Sequence, residues 1–298
     1  MHHIISIKEI TREEIDEILD RASAIDQGAF DPDALKRKIL AILFFEPSTR
    51  TQMSFASAML RLGGKVINLG SVETSSIVKG ETLADTISVV SGYADAIVLR
   101  HPKEGAARLA SEFSTVPVIN AGDGAGQHPS QTLLDLFTIR QSMPLDGIDV
   151  GFLGDLRYGR TAHSLAVALS RYGVRIHTIT PKGLELPPSL TDDLLDGGTE
   201  IVVHEHLEDI ISELDVLYVT RIQRERFPDP GAYASIASGY RVTPEVLTDV
   251  SDRFILMHPL PRVDEIDTRV DALSCARYFQ QARNGVPVRM AMLQKVLS

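Results

Sequence analysis

Between Phe44 and Phe55 the chain reads FFEPSTRTQMSF. Ser48, Thr49, Arg50 and Thr51 set three hydroxyls and a guanidinium in a row, directly after one apolar run and directly before an amphipathic one. If the first is a strand and the second a helix, these side chains surround a helix N-terminus. Backbone N–H groups there lack intrahelical partners and carry partial positive charge. Hydroxyls and a forked guanidinium add donors that suit phosphate. The same residues also suit an ordinary N-cap with exposed polar neighbours. Arg100, which ends another apolar run in VLRHP, favours the anion site.

Other groups could work on a second small molecule. Arg160, Arg221 and Gln223 follow apolar runs in the later half, and two guanidinia with an amide suit a carboxylate-bearing ligand. Ion pairs with Asp155, Asp264 or Glu265 are the structural alternative. His128, in GQHPSQT, precedes a proline-started helix and could donate to a carbonyl oxygen, move a proton or close its loop. Ser75 and Lys79 lie in the hydroxyl-rich SVETSSIVKGETLAD, which reads either as a solvated loop or as an arm that carries a cation to an anion. His204 and His206 alternate along one run, but with no third ligand nearby they read as a surface pair rather than a metal site. The single Cys275 excludes a disulfide framework within the chain and reads as buried filler. No G-x-x-x-x-G-K-[ST] occurs, and the glycines of GFLGDLRYG lack the G-x-G-x-x-G spacing, so neither a nucleoside triphosphate nor a dinucleotide is indicated. These groups together describe a transferase acting on two small anions across a domain cleft, one bearing phosphate and one carboxylate.

The elements that must hold these groups are short. ILAILFF, KVINL, AIVLR, VPVIN, DVGFLG, RIHTIT, EIVVH, VLYVT and FILMH read as strands, with amphipathic stretches such as REEIDEILDRAS and TAHSLAVALSRYG between them. Continuous rather than alternating apolar runs imply strands buried on both faces, hence parallel sheets covered by helices. The expected fold is α/β, with two doubly wound parallel-sheet domains, helices on both faces, joined by interdomain helices. The first domain is expected over residues 1–130 and the second over 131–283. SQTLLDLFTIRQSMPLDG provides the connection, and VRMAMLQKVLS closes the chain as a helix within 284–298. Ligands of such sheets bind at the carboxyl ends of the strands, and arginines recur at those ends in both halves.

Composition bounds the partners. The 298 residues are 44% hydrophobic and 23% charged, with 30 Lys plus Arg against 40 Asp plus Glu. The net charge of -10 argues against nucleic acid or an anionic membrane as partner, so any anion site must be a local basic cluster. No apolar run approaches the length of a membrane span, and MHHIISIKEI lacks the features of a signal peptide. A cytoplasmic protein is expected.

Seven segments, FFEPSTRT, SSIVKGETLADT, VLRHP, GDGAGQHPSQTLLDLFTI, GDLRYGRTAHSL, TRIQRER and HPLPRVDEI, together resemble the catalytic chains of the aspartate carbamoyltransferase family, in family order over residues 44–266. The resemblance implies a carbamoyl phosphate domain, an aspartate domain and a C-terminal helix packing back on the first. It implies transfer of the carbamoyl group to the α-amine of L-aspartate, an early step of de novo pyrimidine biosynthesis, with no cofactor and no metal. Ser48, Thr49, Arg50, Thr51 and Arg100 would hold the phosphate, with Ser75 and Lys79 contributed by an adjacent chain. Arg50, Thr51 and His128 would donate to the carbonyl oxygen, while Gln131 and the backbone carbonyls of Pro259 and Leu260 would hold the carbamoyl amide. Lys79, Arg160, Arg221, Gln223 and Leu260 would bind aspartate. A homotrimer with shared active sites follows, with room for a regulatory chain in a larger assembly.

Three positions depart from the family pattern. Pro47 stands where a small residue is frequent, Val78 where a basic one is, and Arg157 where lysine is. These bear on loop stiffness and affinity rather than on the reaction. Two alternatives stand beside this one. The related ornithine enzymes share the carbamoyl phosphate half but end the last strand in His-Cys-Leu-Pro, whereas this chain has His258-Pro259-Leu260-Pro261. A non-catalytic binding paralogue would be expected to have lost Arg50, Thr51, Lys79 or His128, and all four are present.

Overall fold

A computed structural model describes residues 2–70, 80–222 and 239–297. The chain divides into two compact units, Met1–Phe137 with Asn284–Ser298, and Thr138–Arg283. The boundary expected at residue 130 falls in the first turn of a helix, Pro129–Arg140, and the units part further along that helix.

The first unit is built on four parallel strands: β1 (Ile39–Phe44), β2 (Lys65–Asn68), β3 (Ala96–His101) and β4 (Val118–Asp123), in the order β2-β1-β3-β4. Helix α1 (Arg12–Asp26) precedes them. It opens with a capping box in which Thr11 and Glu14 exchange hydrogen bonds with each other's backbone N–H. α2 (Thr49–Arg61) crosses from β1 to β2, α3 (Leu83–Val90) precedes β3, and α4 (Ala106–Phe113) links β3 to β4. Ala41 and Leu43 of β1 join Ile97 and Leu99 of β3 in one apolar cluster with Ile87 of α3 and Ala107 and Ala110 of α4. α2 packs on β1 and β2. Burial on both faces explains why β1 reads as an unbroken apolar run.

From β1 the chain moves to β2 on one side, and from β3 it moves to β4 on the other. The carboxyl ends of β1 and β3 therefore flank a topological switch point, the place where ligands of doubly wound sheets bind.

The second unit repeats the plan with five parallel strands: β5 (Asp149–Leu153), β6 (Arg175–Ile179), β7 (Glu200–His204), β8 (Val216–Val219) and β9 (Ile255–Met257), in the order β7-β6-β5-β8-β9. Its switch point lies between β5 and β8. α5 (Pro129–Arg140) leads into it, α6 (Arg160–Leu169) joins β5 to β6, and α7 (Pro188–Asp196) joins β6 to β7. Leu153, Leu217, Val219 and Leu256 from the strands form its core with Phe254 and Tyr278.

The last helix is longer than the sequence pattern suggests. α8 spans Tyr278–Leu297 and carries Pro287 inside it. Gly285 and Pro287 read as breakers, yet a single proline removes only one helix hydrogen bond, and the buried Val288, Met292 and Leu293 anchor the turns that follow. Its end packs on α1, with Arg21 Nε 2.7 Å from Gln294 Oε1 and Lys295 Nζ 2.5 Å from Glu17 Oε2. Among the described residues no helix is long and apolar enough to cross a membrane.

Candidate active site

Ser48 precedes α2 as its N-cap with φ −160° and ψ 83°, and its side chain makes no capping hydrogen bond. The hydroxyl-rich turn is therefore not serving the helix in the ordinary way, and the anion reading gains from that. Thr51 is buried, while Arg50 is exposed at the helix start. Desolvation holds the Arg50 guanidinium below its usual value, a cost that a bound anion would offset.

Arg100 stands beside this turn because its strand does. Phe44 and Arg100 are register partners, and the N–H of Phe45 donates to the Arg100 carbonyl over 2.8 Å. The Arg100 guanidinium donates through Nη1 to the carbonyl of Ala121 at 3.1 Å and pairs through Nη2 with Glu46 Oε1 at 2.7 Å. Sequence reasoning passed over Glu46. The signal was an acidic side chain inside the very turn expected to hold an anion.

The loop from β4 to α5 is tied to the same edge. Asp123 receives the N–H of Gln127 at 2.8 Å, the N–H of Gly105 at 2.9 Å and the Asn120 amide at 3.0 Å. The N–H of Gly124 donates to His101 O at 2.9 Å. Gly124 has φ +52°, and a Cβ there would come within 2.7 Å of Pro102 O and Glu104 N. Only glycine permits this approach. His128 emerges buried, its Nδ1 3.4 Å from Ser130 Oγ. Gln131, in the first turn of α5, donates its Nε2 to Asp135 Oδ1 at 2.8 Å, which orients Oε1 as the amide's acceptor.

In the second unit, Thr220 braces the switch point. Its hydroxyl donates to Leu153 O at 3.1 Å and to Asp155 O at 3.2 Å. A Cβ on Gly154, whose φ is +112°, would meet Thr220 O at 2.3 Å. Beyond this brace lie Arg160, the first residue of α6, and Arg221, both half-buried. Of the carboxylates considered as structural partners for them, Glu265 is engaged elsewhere, 2.7 Å from His258 Nε2.

After β9 the chain reads His258-Pro259-Leu260-Pro261-Arg262. Leu260 has φ +54°, a left-handed conformation that disfavours a residue with a Cβ. Its N–H donates to His258 Nδ1 at 2.8 Å, which fixes the proton on Nε2 and directs it at Glu265 Oε1. The N–H of His258 is held by Gln281 Oε1 at 2.9 Å. Arg262 then pairs with Asp271 and donates to Tyr278 Oη at 3.0 Å. Burial pushes the Glu265 carboxyl up, but the hydrogen bond from His258, helped by the backbone N–H of Val263, outweighs it and holds the group below its ordinary value. This framework fixes the backbone at Pro259 and Leu260, and strain retained in such a loop is characteristic of functional sites.

Ser48, Thr49, Arg50, Thr51, Arg100, His128 and Gln131 thus lie in the first unit, and Arg160, Arg221, Pro259 and Leu260 in the second. Ser75, Lys79 and Gln223 lie outside the described residues. His204 pairs with His177 across the strands at 2.9 Å, and His177 in turn with Asp149 at 2.9 Å. Among the described residues no group of three or more His, Cys, Asp or Glu is placed to hold a metal ion. Burial pushes the Cys275 thiol up, away from nucleophilic use.

Residues 2–141 match the carbamoyl-P binding domain of aspartate/ornithine carbamoyltransferases, and residues 146–296 match their Asp/Orn binding domain. The aspartate carbamoyltransferase catalytic subunit of Methanoculleus marisnigri is 68% identical, with all of both chains covered. That of Methanospirillum hungatei is 65% identical, again with all of both covered. Among solved structures, the catalytic subunit of M. jannaschii aspartate transcarbamoylase is 53% identical with a TM-score of 0.94, covering 100% of this chain and 98% of its own. Aspartate transcarbamoylase from Trypanosoma cruzi, in complex with carbamoyl phosphate and aspartate, is 40% identical with a TM-score of 0.92, covering 99% and 97%. The chain belongs to the aspartate/ornithine carbamoyltransferase family.

Proposed function

We propose that the chain transfers the carbamoyl group of carbamoyl phosphate to the α-amine of L-aspartate, giving N-carbamoyl-L-aspartate and phosphate. The observation that carries this reading is the uncapped start of α2 at the first switch point, just beyond a strand end whose Phe44 is the register partner of Arg100. Full-length likeness to chains named aspartate carbamoyltransferase supplies the amino acid. The sequence His258-Pro259-Leu260-Pro261, with no thiol, agrees.

Ser48, Thr49, Arg50, Thr51 and Arg100 hold the phosphate. Arg50, Thr51 and His128 donate to the carbonyl oxygen, which gains negative charge as the tetrahedral intermediate forms. Gln131 Oε1 and the carbonyls of Pro259 and Leu260 accept from the carbamoyl amide. Arg160, Arg221 and Gln223, with Leu260, take aspartate. The unprotonated α-amine attacks the carbonyl carbon, the C–O bond to phosphate breaks with its electron pair, and the departing phosphate takes the amine proton. The protein's work is to place two anions that repel each other and to stabilise the oxyanion. Such a site needs local arginines even in a chain of net charge -10.

In the same reading the active unit is a homotrimer in the cytoplasm. Ser75 and Lys79 of one chain complete the site of its neighbour, and a regulatory chain can join a larger assembly. The test is phosphate release by the purified protein from carbamoyl phosphate with L-aspartate or with L-ornithine. Release with aspartate is expected; release with ornithine alone overturns the assignment, and release with neither favours a binding paralogue.

A further inference from the structure

Arg289 lies on α8, far in sequence from the candidate site residues of the first unit, and is 3% exposed. An arginine is rarely so deeply buried without a task. Its Nη1 donates to Ser54 Oγ, and its guanidinium carbon sits 4.9 Å from the centre of the Phe55 ring. Ser54 Oγ in turn lies 3.1 Å from the carbonyl of Thr51. Among the described residues Nε of Arg289 has no hydrogen-bond partner.

Three charges meet in this region. The Arg289 guanidinium is held down at about 9, chiefly by burial, with the Asp135 carboxylate opposing that shift and Arg100 adding a smaller push down. Asp135 is also the acceptor that orients Gln131. Through Ser54 the side chain thus reaches the carbonyl of Thr51 in the first turn of α2. The helix that carries it is shaped for the purpose: a Cβ on Gly285 would come within 2.3 Å of Arg289 Nη1.

We propose that Arg289 is a positioning residue for carbamoyl phosphate, fixing the first turn of α2 at Thr51 through its hydrogen bond to Ser54. It touches no substrate itself. It makes the seating of the phosphate-holding turn a property of one buried guanidinium. Lysine would keep the charge but not the fork that meets Ser54. The inference rests on the carbamoyl transfer proposed above.

Three variants test it, each assayed beside the parent. Ser54→Ala removes the acceptor while leaving the guanidinium buried and charged. Gly285→Ala displaces Nη1 and carries no intrinsic helix penalty, because alanine favours helix more than glycine does. Arg289→Lys keeps the charge. Each is expected to lower kcat/KM for carbamoyl phosphate by about 5- to 50-fold, the scale of a small misplacement of reacting groups, with KM for aspartate within about twofold. Inorganic phosphate, titrated calorimetrically without amino acid, is expected to weaken in parallel. A purely structural role predicts losses that follow the melting temperature and fall equally on both substrates. The inference is overturned by that outcome, or by Ser54→Ala and Gly285→Ala both staying within about twofold of the parent. A parent with no carbamoyl transfer to aspartate would instead overturn the functional reading.

Discussion

The carboxylate of Glu46 lies 2.7 Å from the guanidinium of Arg100, at the edge where phosphate is proposed to bind. Both side chains are mostly buried, 24% and 13% exposed, so water screens their attraction weakly. The turn proposed to present donors to an anion thus carries a carboxylate of its own. A phosphate arriving at Arg100 must share that guanidinium with Glu46 or displace it.

The first prediction follows from that competition. Glu46→Gln keeps the shape and an acceptor oxygen but removes the charge. Inorganic phosphate is expected to bind about 3- to 10-fold more tightly without amino acid, as one partly screened like-charge contact disappears. Calorimetric titration of both proteins checks it. Unchanged or weaker binding would mean that Glu46 does not oppose the anion.

Glu46 also marks where sequence reading ends. The strand ILAILF was legible because both faces of β1 are buried, and Arg50 and Arg100 were legible because doubly wound sheets bind ligands at strand ends. Pairs fixed by tertiary packing were not. Glu46 could be seen but not its partner, and nothing near Arg289 points to Ser54, 235 positions away. His204 looked like a partner for His206, yet it meets His177 on the adjacent strand. α7 went unread because only Leu190 and Leu194 are buried in it, too few to set a helical period, although Pro188 at its start was a usable sign.

The His258–Glu265 pair gives a pH prediction. Glu265 is held below its unfolded value of 4.5. A carboxyl of that kind contributes stability that is present above the unfolded value and is lost as pH falls through the folded one. Glu265→Gln is expected to melt lower near neutral pH and to lose less on acidification, so that the two melting curves converge as pH falls below 4.5 through the folded value. Parallel curves down to pH 3 would show that Glu265 supplies no acid-labile stability.

Two glycines separate backbone strain from steric contact. Gly147 has φ +70° with nothing within 4 Å of a Cβ, whereas Gly124 has φ +52° with backbone atoms at 2.7 Å. Gly147→Ala is expected to cost about 1 kcal/mol and Gly124→Ala roughly 2–4 kcal/mol in urea denaturation. Gly124→Ala also distorts the loop leading to His128, so its KM for carbamoyl phosphate is expected to rise while that of Gly147→Ala does not. Equal costs for the two would place the whole penalty in the dihedral angle.

The proposed sharing of sites between chains makes a quantitative prediction. Arg50→Ala removes the charged donor proposed for the oxyanion and is expected to lower kcat/KM by at least about 100-fold, the scale seen when such a donor is lost. Lys79→Ala is expected to be comparably impaired. If each site takes Arg50 from one chain and Lys79 from its neighbour, randomly mixed trimers of the two variants regain both groups in about a quarter of their sites. Dissociating and reassociating an equimolar mixture is therefore expected to restore about a quarter of parental activity. Self-contained sites would lack one group in every chain, and confirmed mixed oligomers would stay as inactive as their parents.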